Sequence, residues 1–254
     1  VSENASPVVA VHTIECPSGL VVSQRKILIR DQKVLTDKKL IRSGGVVDAL
    51  LGACCTQLHS PGIYPFTDTV RWPEVLQGDR LFALVRLRAL THGEHYEFKT
   101  VCPACGGRFD YRLNLSRDLR VKILPDSSRE TLRAGGVFSA EVDGVNLGFK
   151  LLTGLEESRL QQLLRGVGDE KMSASLSQRI VSIQGVEPRN KKAWLEDQDL
   201  GFLARVMAAF EEADCGVDNE VEIECPLCQA EVDITVPFAG DFLMPKTRKA
   251  SQAS

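Results

Sequence analysis

Two short cysteine pairs carry the strongest chemical signal in the sequence. Cys102-Pro103-Ala104-Cys105 and Cys225-Pro226-Leu227-Cys228 share one spacing, in which two intervening residues let both sulfurs of a turn reach the same ion while proline stiffens the turn. Four thiolates form a soft, charge-dense tetrahedral donor set suited to zinc, and they leave no open coordination position for catalysis. The expected metal ligands are therefore Cys102, Cys105, Cys225 and Cys228 around one structural zinc ion. About 120 positions separate the pairs, far more than the roughly 15–20 residues of an ordinary ribbon loop. Closure cost grows only logarithmically with length, so the excess adds roughly 2 kcal/mol, whereas structural zinc supplies roughly 10–16 kcal/mol. The competing reading is a pair of simple turns or redox-active dithiols. A thioredoxin-type motif opens a helix after a strand, however, and these pairs sit between two strands.

The other reactive residue types are less organised. Cys54 and Cys55 are adjacent, but Cys54 falls on an apolar helix face and reads as core; Cys16 and Cys215 stand alone and read as small buried hydrophobes. His92 and His95 flank Gly93 just before the first pair and could orient it, although a helix terminus and a solvated turn suit them better. His12 and His59 have no catalytic companion close in sequence. Arg25, Lys26, Arg30, Lys33, Lys38, Lys39 and Arg42 form a basic run diluted by Asp31 and Asp37, which reads as a solvated face before it reads as a phosphate site. Glycine-rich phosphate loops, nucleophile elbows and paired metal carboxylates are absent, so the expectation is a protein that is not an enzyme.

Both cysteine turns sit in matching surroundings. Tyr96 and Phe98 alternate with Glu97 and Lys99 before the first, and Phe109, Tyr111 and Leu113 alternate with polar residues after it. Val221 and Ile223, then Val232, Ile234 and Val236, repeat the layout around the second. Period two on both arms predicts two β-hairpins. Upstream, a hairpin is expected around Cys16-Pro17-Ser18-Gly19, then a short cationic helix from Val34 to Ile41, then a helix from Val46 to about His59 stopped by Ser60-Pro61-Gly62. Asp79 is expected to cap a helix from Arg80 to Thr91 that ends at Gly93; its apolar residues cover most of its circumference, with Arg80, Arg86 and Arg88 at the margins.

Between the cysteine hairpins, a further hairpin is expected from Val137 to Leu152 with Asp143-Gly144 at its turn. Thr153-Gly154-Leu155-Glu156 reads as a capping box opening a helix with Leu160, Leu163, Leu164 and Val167 on its apolar face. A longer helix is expected from Leu200 to Ala213, with Leu200, Leu203, Met207 and Phe210 inward. The expected fold is α+β: a disordered leader over 1–7, an N-terminal hairpin-and-helix region over 8–93, a composite zinc ribbon from 94–116 and 217–238, a hairpin plus helix-rich insert over 117–216, and a tail over 239–254.

Composition agrees with a folded chain of this kind. The 254 residues are 43% hydrophobic and 26% charged with a net charge of −3, which fits neither a disordered chain nor a protein that coats nucleic acid. No apolar stretch reaches the roughly 20 residues of a membrane span, and the first residues hold no secretory signal pattern, so the expected origin is the cytoplasm.

Taken in order, Pro17-Ser18-Gly19 in a hairpin, Asp79-Arg80 leading through Leu87-Arg88 and Gly93 into an aromatic strand, then the first cysteine pair with Gly106, and much later the second pair, resemble the baseplate hub and hub-assembly proteins of contractile-tailed bacteriophages. The resemblance runs over roughly residues 12–236. It implies a non-enzymatic part of the tail baseplate, at the hub or in its assembly, with other baseplate and tail proteins as partners in a multi-subunit assembly. It also implies residence in the virion tail after assembly in the bacterial cytoplasm. Cys102, Cys105, Cys225 and Cys228 carry over as metal ligands, while Asp79, Arg80 and Arg88 match without a chemistry beyond capping and surface pairing. Gln229 departs from the glycine that often follows such a turn, which puts the turn geometry in question but removes no ligand. A transient assembly chaperone absent from the mature particle is an alternative. So is a zinc-ribbon regulator that binds nucleic acid, though Glu97, Asp110, Glu220, Glu222, Glu224, Glu231 and Asp233 would repel phosphate, so nucleic acid is not an expected partner.

Overall fold

The computed structural model describes residues 10–165, 171–238 and 242–243. The expected leader over 1–7, Val167 and most of the tail over 239–254 lie outside the described residues. Mixed helix and antiparallel sheet match the expected α+β class.

Strands β1 (Val11–Glu15) and β2 (Val21–Arg25) form the expected first hairpin, closed by the Cys16 amide donating to the Leu20 carbonyl at 2.8 Å. The cationic segment is two helices rather than one, α1 (Gln32–Thr36) and α2 (Lys38–Ser43). Asp37 causes the break: its backbone is extended, and its carboxylate accepts from the amides of Lys39 and Leu40 to start α2. Helix α3 (Val46–Cys54) begins as expected and buries Leu50, Leu51 and Cys54. It stops before His59, because Cys55–Ser60 forms β3 against the open edge of β2. Leu58 satisfies both a helical and a period-two pattern, and sheet pairing gives this segment's backbone groups their partners.

Helix α4 (Gln77–His92) leads into β4 (His95–Val101), which pairs with β5 (Arg108–Asn114) in the first expected cysteine hairpin. Beyond it, β6 (Val121–Lys122) and α5 (Asp126–Arg133) precede the hairpin of β7 (Phe138–Val142) and β8 (Val145–Phe149). Asp143 and Gly144 take φ of 53° and 78°, the left-handed pair that a tight hairpin turn requires. Thr153 and Glu156 make the expected capping box at the start of α6 (Gly154–Leu164), whose Leu160 is buried and whose Leu163 is exposed, contrary to its expected place on the inner face. Then come α7 (Lys171–Arg179), β9 (Ile180–Ile183), which adds a third strand beside β8, and α8 (Lys191–Glu196).

Helix α9 (Leu200–Ala213) has the expected bounds but a rotated face. Leu200 is 81% exposed and Met207 44%, while Phe202, Val206 and Phe210 point inward. Asp199 caps the helix by accepting the Phe202 amide at 2.7 Å, and the inner face is set by Phe202 and Phe210 meeting Trp194 and Phe149. Strand β10 (Gly216–Val217) pairs with β6, and β11 (Glu220–Glu224) pairs with β12 (Glu231–Thr235) in the second cysteine hairpin. One hydrophobic cluster runs from Ile14 in the first hairpin through both cysteine hairpins to Phe242. The part of the tail that is described is therefore core, not a solvated end.

Helix α4 holds this core together, and three charged side chains expected at its cap and margins are buried in it. Asp79 does not cap the helix, which begins at Gln77; it lies in the first turn, fully buried. Its carboxylate accepts from the Ser18 amide at 3.0 Å, the Ser18 hydroxyl and the Tyr64 hydroxyl at 2.6 Å, so one group ties the first hairpin's turn and the loop after β3 to α4. Burial pushes its carboxyl above the usual carboxylate range against the pull of those donors. Arg80, 3% exposed, bridges Asp48 of α3 at 2.6 Å and Glu157 of α6 at 2.5 Å. Arg88, 4% exposed, pairs with no carboxylate among the described residues; it donates to the carbonyls of Gly93 at 2.7 Å and Phe242 at 3.3 Å, and its guanidinium lies over the rings of Tyr96 and Phe242.

Replacing Asp79 with alanine strands both Ser18 donors and the Tyr64 hydroxyl inside the core and should cost about 3 kcal/mol in urea unfolding. Asp79→Asn keeps an acceptor there and should cost clearly less; equal losses for the two variants would show that the hydrogen bonds do not carry the effect.

Candidate metal centre

Each cysteine turn is set by the strands that enter and leave it. In β4 and β5 the residues Tyr96, Phe98 and Leu113 face inward, and in β11 and β12 Val221, Ile223, Val232 and Ile234 do the same. The Tyr96 hydroxyl donates to the Pro237 carbonyl at 2.8 Å, which links the first hairpin to the end of the second. Packing of these inner faces brings the two turns together, although the whole insert lies between them in sequence.

The turns have one hydrogen-bond pattern. The Cys102 amide donates to the Gly107 carbonyl at 2.9 Å and the Gly106 amide to the Cys102 carbonyl at 2.8 Å; the Cys225 amide donates to Ala230 at 2.9 Å and the Gln229 amide to Cys225 at 2.8 Å. Gln229 takes φ of 61° where Gly106 takes 70°, so the departure from glycine leaves the turn intact at the cost of a left-handed non-glycine residue. Backbone amides also point at sulfur: Cys105 N lies 3.5 Å from Cys102 Sγ and Leu227 N lies 3.4 Å from Cys225 Sγ.

The four sulfurs of Cys102, Cys105, Cys225 and Cys228 lie within 4.8 Å of one another. Sulfurs at the corners of a tetrahedron with zinc–sulfur bonds of about 2.3 Å stand about 3.8 Å apart, and Cys102 Sγ and Cys228 Sγ are 3.9 Å apart. That separation is nearly twice the roughly 2.05 Å of a disulfide bond. Cys102 and Cys225 are buried, while Cys105 and Cys228 are exposed, so the cluster has one side on the core and one on solvent. The Cys105 amide is the main force lowering the Cys102 thiol, to about 7. At Cys228 the Ala230 amide pulls down, but burial and three neighbouring sulfurs push the thiol up to about 12. Four thiols so placed cannot all ionise alone, and a dication among them removes that conflict. The donor set thus fits a metal ion.

The remaining sequence candidates stay outside this cluster. His95 sits at the opposite end of the β4–β5 ladder from Cys102, and His92 Nε2 lies 3.1 Å from the Leu243 carbonyl, so neither orients the sulfurs. Burial pushes the Cys54 and Cys55 thiols up to about 11 and about 12, against a reactive vicinal pair. Cys16 and Cys215 are buried, with thiols raised by burial. Within the basic run, Arg25 is not solvated: its guanidinium pairs with buried Asp31 at 2.6 Å. What the sequence reading missed are the buried partners of Asp79, Arg80 and Arg88. The available signal was the apolar circumference of α4, which leaves little solvated margin for charge; of its three arginines only Arg86 stays partly exposed.

Fold and centre together define a class: a mixed α/β protein whose ribbon is assembled from two distant hairpins and joined at a four-cysteine cluster able to hold a metal ion. A family model described as T4 bacteriophage base plate protein matches residues 9–244. The chain belongs to that family, and so to the proteins of phage tail baseplates. No curated protein and no solved structure matches it. Among the described residues no helix is long and apolar enough to cross a membrane.

The left-handed Gln229 yields a direct check. Gln229→Gly should raise thermal stability by roughly 0.5–1 kcal/mol, the relief of left-handed strain less the added freedom of the unfolded chain. A loss of stability would mean that the Gln229 side chain contributes contacts that outweigh its backbone cost.

Proposed function

We propose that the chain is a non-enzymatic component of the hub region of a contractile-tail baseplate, serving its structure or assembly, with one structural zinc ion held by Cys102, Cys105, Cys225 and Cys228. The observation that carries this reading is the convergence of four sulfurs from hairpins about 120 residues apart, in a chain of the baseplate family. When bound, zinc would neutralise four thiolates and lock the turns together; the chain's own part is to deliver the sulfurs, aim amides at them and cover one side with core. Zinc is favoured over harder cations because all four donors are sulfur. In this reading 94–116 and 217–238 form the ribbon, 8–93 the N-terminal region and 117–216 the insert whose ends the ribbon clamps. Four thiolates leave no position for a reacting group, which supports a structural role over a catalytic one. Partners would be other tail proteins, in a virion assembled in the host cytoplasm.

Elemental analysis of the purified chain should find about one zinc per chain, and a strong chelator should lower the melting temperature by roughly 10 °C or more. Affinity should fall as pH drops below neutrality, since protons compete for each thiolate. A metal-free chain that melts identically with and without chelator would refute the clip. Mass spectrometry of purified particles should find the chain in the tail fraction; absence there would leave only a transient assembly role.

A further inference from the structure

The two cysteine hairpins share a layout but not a charge pattern. Across the β4–β5 ladder Glu97 stands opposite Arg112 and Lys99 opposite Asp110, so each carboxylate faces a cation. Across β11–β12 Glu222 stands opposite Asp233 and Glu224 opposite Glu231, with Glu220 next along the strand, all five exposed. Like charges set directly across a ladder destabilise it. Among the described residues none of these five carboxylates has an ion-pair partner. The sequence offers none nearby either, with no lysine or arginine between Arg205 and Lys246.

The complementary surface lies at the other end of the sequence. Arg30, Lys33, Lys38, Lys39 and Arg42, on and just before α1 and α2, are exposed and make no ion pair among the described residues. Ile29 and Ile41 are exposed in the same stretch, at 91% and 52%. A surface that mixes cations with exposed isoleucines suits a protein partner better than a phosphate backbone, which offers nothing to the isoleucines.

We propose that these two surfaces are the halves of one contact between copies of this chain: the α1–α2 surface of one copy docks on the acidic β11–β12 face of the next. Each surface supplies the charge that the other lacks. Because the halves belong to different elements, the contact is head to tail, and it generates a ring where the rotation closes and a filament where it does not. The contact uses no metal ligand and does not depend on the hub reading, so its failure would leave both the clip and the family intact.

The test is sedimentation of the full, metal-loaded chain at about 100 µM in about 0.05 M and 0.5 M salt. Self-association is expected at low salt and should weaken at least tenfold at high salt. Variant K38E/K39E/R42E and variant E222K/D233K should each be monomeric alone, with metal content and melting unchanged, and should form a heterodimer when mixed. Both sets in one chain should leave it monomeric, because the two surfaces then carry net charge of the same sign. Reversing Lys246, Arg248 and Lys249 should leave association unchanged. A wild-type chain that stays monomeric at low salt overturns the proposal and leaves the acidic face to a basic surface of another subunit. Association indifferent to salt, or lost when the three tail cations are reversed, overturns it equally.

Discussion

A charge moved from water into a protein interior must find partners there, and α4 brings in three. Asp79, Arg80 and Arg88 lie on one helix, yet each binds a different part of the chain: the first hairpin and its following loop, helices α3 and α6, and the segment around Phe242. A hydrophobic contact tolerates sliding, whereas a buried ionic group tolerates only the arrangement that satisfies it. The core is held in one register by these three groups. Burial of apolar surface supplies the bulk of the stabilisation, and the charges choose which burial occurs.

Gly78 shows how tightly that register is drawn. A Cβ at Gly78 would fall 1.8 Å from the Cys215 carbonyl oxygen, so the start of α4 lies backbone against backbone on the entry to β10. Beside it stands Asp79, whose carboxylate reaches 4.0 Å from Cys215 Sγ. The strand following the insert is thus seated on the helix preceding it, and the last hairpin starts from a fixed point. From there strand β11 carries the chain directly to Cys225 and Cys228 beside the first turn.

What the sequence made legible was local. The cysteine hairpins, the Asp143-Gly144 turn and the Thr153–Glu156 box each rest on a short pattern with a single physical meaning, and each is present. Patterns with two meanings went the other way. Leu58 extends a helical repeat, but the open edge of β2 draws Cys55–Ser60 into a strand. In α9 the apolar residues surround so much of the helix that periodicity favours Leu200 and Met207, whereas packing against the neighbouring rings turns Phe202, Val206 and Phe210 inward. The convergence of the four cysteines could be read because the two pairs share one spacing and one hairpin layout; the roles of Asp79, Arg80 and Arg88 could not, because their partners lie far along the chain. Strands β6 and β10, two residues each, carry no pattern of their own and form by pairing with one another across the insert.

The separation of the cysteine turns also orders events in time. A ribosome adding roughly 5–20 residues per second needs roughly 6–24 s to pass from the first turn to the second. Throughout that interval the nascent chain holds a two-sulfur half site, too poor in donors to keep an ion for long, while the N-terminal region and insert have time to fold. The cluster can close only when the last hairpin emerges. Closure of the cluster then reports that the chain has been read through the insert and into the second cysteine hairpin, and a chain released before that lacks the half that would complete it.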